Sequence, residues 1–152
     1  MADQPECTLN PYLVVSDASA AIDYYQRHFG AKLVLSMPMP DGKMGHAELQ
    51  LGNSLLMLAD EFPDMGFHGP HHYQGSPVSF CLYVEDADAV VEAAVADGAE
   101  VQRPVADQFY GDRAGTIKDP FGHTWTIATR KESLTEAQIQ QRFAEFLAKQ
   151  AE

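Results

Sequence analysis

The chain has 152 residues, of which 45% are hydrophobic and 21% charged, and its formal net charge is −12. This length fits one ordinary domain or two very small ones, and a chain of this size buries about 68–70% of its unfolded surface without a metal or disulfide staple. The near-average composition excludes disorder, collagen and coiled coil, and the acidic balance excludes nucleic acid and anionic membrane surfaces as expected partners.

Two cysteines, Cys7 and Cys81, make no disulfide framework. The acidic opening Met1-Ala2-Asp3-Gln4-Pro5-Glu6 lacks the basic start and apolar stretch of a leader. No apolar run reaches the roughly 18 residues of a membrane helix. A cytoplasmic protein is expected.

Leu9 to Val15 is a short β-prone run whose Pro11, lacking an N–H, predicts an edge strand or an unpaired side. Ser16-Asp17 stops it and offers a helix cap. Ile22, Tyr25 and Phe29 then recur at helical spacing beside Ala18 and Ala21, and Gly30 suits a left-handed helix end. Strands follow at Lys32 to Met37, His46 to Leu51 and Ser54 to Ala59, parted by the turn Pro38-Met39-Pro40-Asp41-Gly42 and by Gly52-Asn53. Asp60 to Pro77 breaks every period with three prolines and three glycines, Pro63, Gly66, Gly69, Pro70, Gly75 and Pro77, and reads as a linker.

The β-α-β-β-β order then repeats. Val78 to Val84 is a strand stopped by Glu85-Asp86. Ala87 to Asp97 is a helix with Val91, Ala94 and Val95 on one face, closed by Gly98. Glu100 to Val105, Ala114 to Lys118 and Thr124 to Thr129 supply three strands, the last two joined by Asp119-Pro120-Phe121-Gly122, a type I turn spelling. Leu13 to Asp17 lies over Leu82 to Asp86 at an offset of 69 residues (86 − 17), and Gly30-Ala31-Lys32-Leu33 lies over Gly98-Ala99-Glu100-Val101. The pattern is an internal duplication, and neither half buries both faces of its sheet alone. After Lys131, Ser133-Leu134-Thr135-Glu136 has the spelling of a capping box, and Ile139, Phe143, Phe146 and Leu147 form one apolar helical stripe.

Paired β-α-β-β-β units ending in Asp119-Pro120-Phe121-Gly122-His123-Thr124-Trp125 resemble the vicinal oxygen chelate superfamily of glyoxalase, bleomycin-resistance proteins and dioxygenases. Tyr110-Gly111-Asp112-Arg113 and Ala128-Thr129-Arg130-Lys131-Glu132 resemble its PhnB-like branch. The resemblance implies an α+β fold of two tandem βαβββ modules forming a half-open barrel with a central cavity, followed by a C-terminal helix. The expected organisation is one domain over 1–132, with modules 8–60 and 77–132 and linker 61–76, then a helix over 133–152. Metal-dependent relatives take His or Gln, Glu, His and Glu from four strands. The matching positions here are Asn10, Met57, Ser79 and Thr126, none a strong ligand for a divalent ion. No metal and no cofactor is therefore expected.

Strand parity places Asn10, Tyr12, Leu55, Met57, Ser79, Cys81, Thr124 and Thr126 on the cavity wall and Trp125 in the core. Cys81 has no basic neighbour or helix start in sequence, so an inert, buried thiol is expected. Tyr110 and Arg113 are added as ligand-binding residues, Arg113 because its planar fork suits a carboxylate or phosphate; a contact between Asp112 and Arg113 that fixes the loop is the competing reading. His46 and Glu48, two apart on one strand, form an acid–base pair, part of a displaced metal site, or merely a wet sheet face; with Asp112 they are the catalytic candidates. His68, His71 and His72 read as a solvated loop, and His123 as a brace for its turn. The function expected is metal-free binding or sequestration of a small organic molecule. The alternative is a lyase, isomerase or dioxygenase of the same superfamily with a displaced site. A homodimer is the expected assembly.

Overall fold

The computed structural model describes residues 5–152; the opening Met1 to Gln4, read above as part of no leader, lies outside them. The elements are β1 (Tyr12–Val15), α1 (Ala18–Phe29), β2 (Lys32–Pro38), β3 (Met44–Leu51), β4 (Ser54–Asp60), α2 (Pro70–Tyr73), β5 (Ser79–Tyr83), α3 (Ala87–Ala96), β6 (Glu100–Asp107), β7 (Asp112–Lys118), β8 (Thr124–Arg130) and α4 (Glu136–Gln150). They form two four-stranded sheets, ordered β1-β4-β3-β2 and β5-β8-β7-β6. In each, the first strand is parallel to the last and the other pairs are antiparallel. Neither sheet closes on itself. The fold is α+β, with β-α-β-β-β used twice and a C-terminal helix.

Two compact units result. One ends at Pro77 and also holds Phe121–His123; the other comprises Val78–Pro120 and Thr124–Glu152. The first unit forms where two periodicities meet. Ala18, Ala21, Ile22, Tyr25 and Phe29 make the buried stripe of α1. Alternate residues Leu13, Val15, Ala47, Leu49, Leu56 and Leu58 make the buried face of the sheet. Phe121 joins this core edge-on to Tyr24 and Tyr25, with ring centroids 6.1 Å away in both cases. Asp17 caps α1 by accepting from the Ala20 N–H at 3.0 Å, and Gly30 ends it at φ 68°. In the second unit, Asp86 caps α3 in the same way, and Ala87, Val91 and Ala94 face the helix side of the sheet, where Trp125, Ile127 and Ile117 are buried.

The duplication extends to a device invisible along the chain. Asp60, ending β4, accepts from the first amide of α1, Ala18 N–H, at 2.7 Å. Thr129, next to last in β8, accepts from the first amide of α3, Ala87 N–H, at 2.9 Å. Both pairs keep the 69-residue offset (129 − 60, 87 − 18). Asp60 also accepts from Met44 N–H at 2.6 Å, so one carboxylate ties α1 to the start of β3.

Three expectations need correction. The linker is structured and belongs to the first unit: Pro63–Met65 form a 3-10 turn and Pro70–Tyr73 a short helix, each opened by the proline whose missing N–H suits a first helical position. Phe62 and Phe67 exchange backbone hydrogen bonds of 2.9 and 3.1 Å, closing that turn into a small loop. The cap of α4 is Thr135 with Gln138, two residues beyond Ser133/Glu136, because Thr135-x-x-Gln138 spells the same box and both of its bonds form. Cys81 is exposed, not buried. Pro11 precedes β1, the edge strand of its sheet, as its missing N–H requires, and Pro104 lies on the edge strand β6. No helix among the described residues is long and apolar enough to cross a membrane.

Candidate functional site

The face of the first sheet opposite α1 carries the polar groups. Strand pairing aligns Tyr12, Met57, Glu48 and Leu35 in one row across all four strands. Tyr12 must cross β4 to reach β3, and Ala59, on the same face as Met57 and small, leaves room for the phenol. Tyr12 Oη lies 2.9 Å from His46 Nδ1, and His46 Nε2 lies 3.0 Å from Glu48 Oε1. The three side chains form one hydrogen-bonded chain. An ionised carboxylate only accepts, so a neutral His46 ring carries its proton on Nε2, toward Glu48, and accepts from Tyr12 O–H at Nδ1. Burial pushes the Tyr12 phenol above its ordinary value, so it keeps that proton.

Beside Tyr12 lies a cavity of about 230 Å³ walled by Met39, Gly45, Ala59, Phe62, Met65 and Phe67. Its side chains are apolar except for the Tyr12 hydroxyl. Gly45 is there because a Cβ would sit 3.2 Å from Met39 Cγ and 3.3 Å from the Met37 carbonyl, narrowing the space. Lys43 stands at Phe62, its Nζ 5.1 Å from the ring centroid and donating to the Glu61 carbonyl at 2.9 Å. A second cavity of about 500 Å³ shares Tyr12 and is bounded by Val14, His68, Pro70, Tyr73 and His123. His68 stacks on His72 with centroids 3.7 Å apart, and His123 Nε2 lies 3.0 Å from the Val14 carbonyl, the brace expected for its turn.

The residues at the metal positions implied by the resemblance do not fit a divalent ion. Asn10 lies before β1 and donates to the Cys7 carbonyl, Thr126 Oγ1 is 3.0 Å from Thr116 Oγ1, Met57 offers a thioether, and Ser79 a hydroxyl. His46 and Glu48 spend their facing atoms on each other. Among the described residues, no group of three or more His, Cys, Asp or Glu side chains is placed to hold a metal ion.

The other expected site residues are divided between the two sheets. Leu55, Met57 and Tyr12 share the first sheet's open face, while Ser79, Cys81, Thr124 and Thr126 share the corresponding face of the second sheet. Tyr110 lies in the β6–β7 turn, edge-on to Phe109 at 5.2 Å, and burial together with the Asp112 charge pushes its phenol up. Partial desolvation at its place on the sheet likewise pushes the Cys81 thiol up, with the Asp112 carboxylate adding to it, so the thiolate is disfavoured.

Asp112 and Arg113 do not meet, because adjacent strand residues point to opposite faces. Arg113 turns to the helix side, where its fork grips Asp88 of α3 at 2.6 and 2.9 Å and reaches Asp107 at 3.2 Å. Those two carboxylates hold the guanidinium pKa above its ordinary value. Asp112 is buried on the other face, accepting from Tyr83 O–H at 2.7 Å and Arg130 Nε at 3.1 Å, while Arg130 Nη2 donates to Tyr83 Oη at 2.8 Å. Both of its oxygens are engaged, which makes Asp112 a bracing group. Sequence reasoning missed Tyr83 and Arg130, although their parity with Cys81 and Thr126 would have found them. It also missed Met39, Phe62, Met65 and Phe67, which lie in a turn and a loop with no period to read.

The profile of the Glyoxalase/Bleomycin resistance protein/Dioxygenase superfamily matches residues 7–127. A Mycobacterium bovis protein, "Uncharacterized protein Mb0911c", is 42% identical over 130 residues, 84% of this chain and 86% of that one. Protein PA1353 from Pseudomonas aeruginosa has a similar structure, with TM-score 0.68 and 26% identity over 83% of this chain and 99% of its own. A Bacillus cereus PhnB protein, titled a putative 3-demethylubiquinone-9 3-methyltransferase, shares the fold at TM-score 0.66 and 16% identity, covering 81% and 99% of the two chains.

Proposed function

Because the chain belongs to the glyoxalase/bleomycin resistance protein/dioxygenase superfamily, we propose that it binds a small organic molecule, without a metal, in the cavity beside Tyr12. The observation that carries this reading is the cavity's make-up: aromatic and methionine walls around one directed polar group, the usual composition of a small-molecule site. The weak donors at Asn10, Met57, Ser79 and Thr126 support the metal-free part. Calorimetry with para-propylphenol as the probe tests it. The wild-type chain binds the probe, and Gly45→Val, which pushes side-chain atoms into the cavity, weakens binding at least about tenfold while circular dichroism stays unchanged. Equal affinity in the two proteins contradicts the assignment.

A second reading, acid–base catalysis, is favoured by one observation, the continuous Tyr12–His46–Glu48 chain, which can pass a proton at the phenol. Incorporation of solvent deuterium into a carbon of a bound probe, lost in His46→Ala, would support it over binding alone. Assembly as a homodimer belongs to the main proposal. Helix α4 buries none of its residues; Phe143 and Phe146 stack on Phe109, yet both, with Leu147, stay 42–50% exposed. Light scattering at high micromolar concentration should give twice the chain mass; a monomer rejects it.

A further inference from the structure

We infer that the cavity beside Tyr12 selects ligands carrying a hydrogen-bond donor, a hydroxyl or an amine or amide N–H, on an otherwise apolar body. This deepens the binding reading above and rests on it. Glu48 only accepts, so the imidazole presents Nε2–H to it across 3.0 Å. With the ring neutral, Nδ1 keeps a lone pair that takes the Tyr12 proton across 2.9 Å. Tyr12 Oη is left with lone pairs and no free proton. A ligand hydroxyl or N–H meets an acceptor there. A ligand ether or carbonyl meets a second acceptor, and loses its hydration without a replacement partner.

The rest of the wall strengthens the selection, because Met39, Ala59, Phe62, Met65 and Phe67 contribute no side-chain donor. Partial desolvation pushes the Tyr12 phenol above its ordinary value, so it keeps a proton to donate to Nδ1. The competing feature is Lys43, the cation at Phe62, which would favour a carboxylate. Its ammonium is already engaged with the Glu61 carbonyl and the ring face.

Three probes of one shape decide the matter by calorimetry on the full chain: para-propylphenol, a donor; para-propylanisole, an acceptor only; and para-propylbenzoate, an anion. The wild-type chain should bind the phenol about tenfold tighter than the anisole and tighter than the benzoate, the order expected for one directed hydrogen bond. Tyr12→Phe should bring phenol and anisole to equal affinity. His46→Leu should free the Tyr12 proton and raise anisole affinity toward that of the phenol, an effect that loss of fold would not produce. Equal binding of the phenol and anisole by the wild type, tightest binding of the benzoate, or a phenol preference that survives Tyr12→Phe, overturns the inference while the binding reading stands. If none of the three binds at millimolar concentration, the binding reading itself fails, and the inference with it.

Discussion

Trp125→Ala should lower the unfolding free energy by about 3–5 kcal/mol, the range for emptying a large aromatic from a packed core. Trp125 is 3% exposed, lies 5.0 Å from Phe80 between ring centroids, and donates from Nε1 to Asp119 Oδ2 at 2.9 Å. The substitution therefore opens a cavity and takes a donor from a carboxylate that is itself buried. Trp125→Phe separates the two effects: it keeps most of the volume and loses the N–H, and should cost about 1–3 kcal/mol. Trp125 is the single tryptophan, so urea unfolding is followed by far-ultraviolet circular dichroism. A loss below about 1 kcal/mol in Trp125→Ala would mean that the second unit does not depend on this core.

Asp60→Ala should destabilise by about 2–4 kcal/mol, because two backbone donors, Ala18 N–H and Met44 N–H, lose their acceptor together. Ala18 is fully buried, so water cannot easily replace the lost oxygen there. Asp60→Asn should recover part of the loss, since an amide keeps one acceptor oxygen and turns a donor toward the other N–H. Thr129→Val, at the equivalent place in the second unit, leaves one backbone N–H without its acceptor and takes the hydroxyl donor from the Val84 carbonyl, and should cost about 1–2 kcal/mol, less than the loss of a carboxylate that serves two N–H groups. Urea midpoints of the variants test the ranking. Equal losses in Asp60→Ala and Thr129→Val would contradict the two-donor account.

The β-α-β-β-β order is legible where an element's burial follows its own period, 3.6 along Ile22, Tyr25 and Phe29 in α1 and 2 along Ala47, Leu49 and Leu51 in β3. The caps Asp17 and Asp86 are legible for the same reason, acting on amides three residues away. Asp60 and Thr129 are not, since each acts across 42 positions of chain. His46 and Glu48 were readable as one face of a strand. Their partner Tyr12 required the strand order β1-β4-β3, which no local pattern contains. The alternative of an Asp112–Arg113 contact rested on adjacency: neighbours on a strand look like a pair in sequence, pleating sends them to opposite faces, and Arg113 meets Asp88 and Asp107 instead. The cavity walls Phe62 and Phe67 were hidden because Pro63 and Gly66 interrupt any period between them.

The proposed ligand site lies on the first sheet's open face, beside Tyr12. Backbone amide chemical shifts of the isotope-labelled full chain, recorded while para-propylphenol is titrated in, test it most directly. The largest saturable shifts should fall at Tyr12, Gly45, His46, Ala59 and the loop from Phe62 to Phe67. Shifts that are largest on the second sheet, at Cys81, Tyr83 and Thr126, or that grow linearly with probe and never saturate, would contradict it.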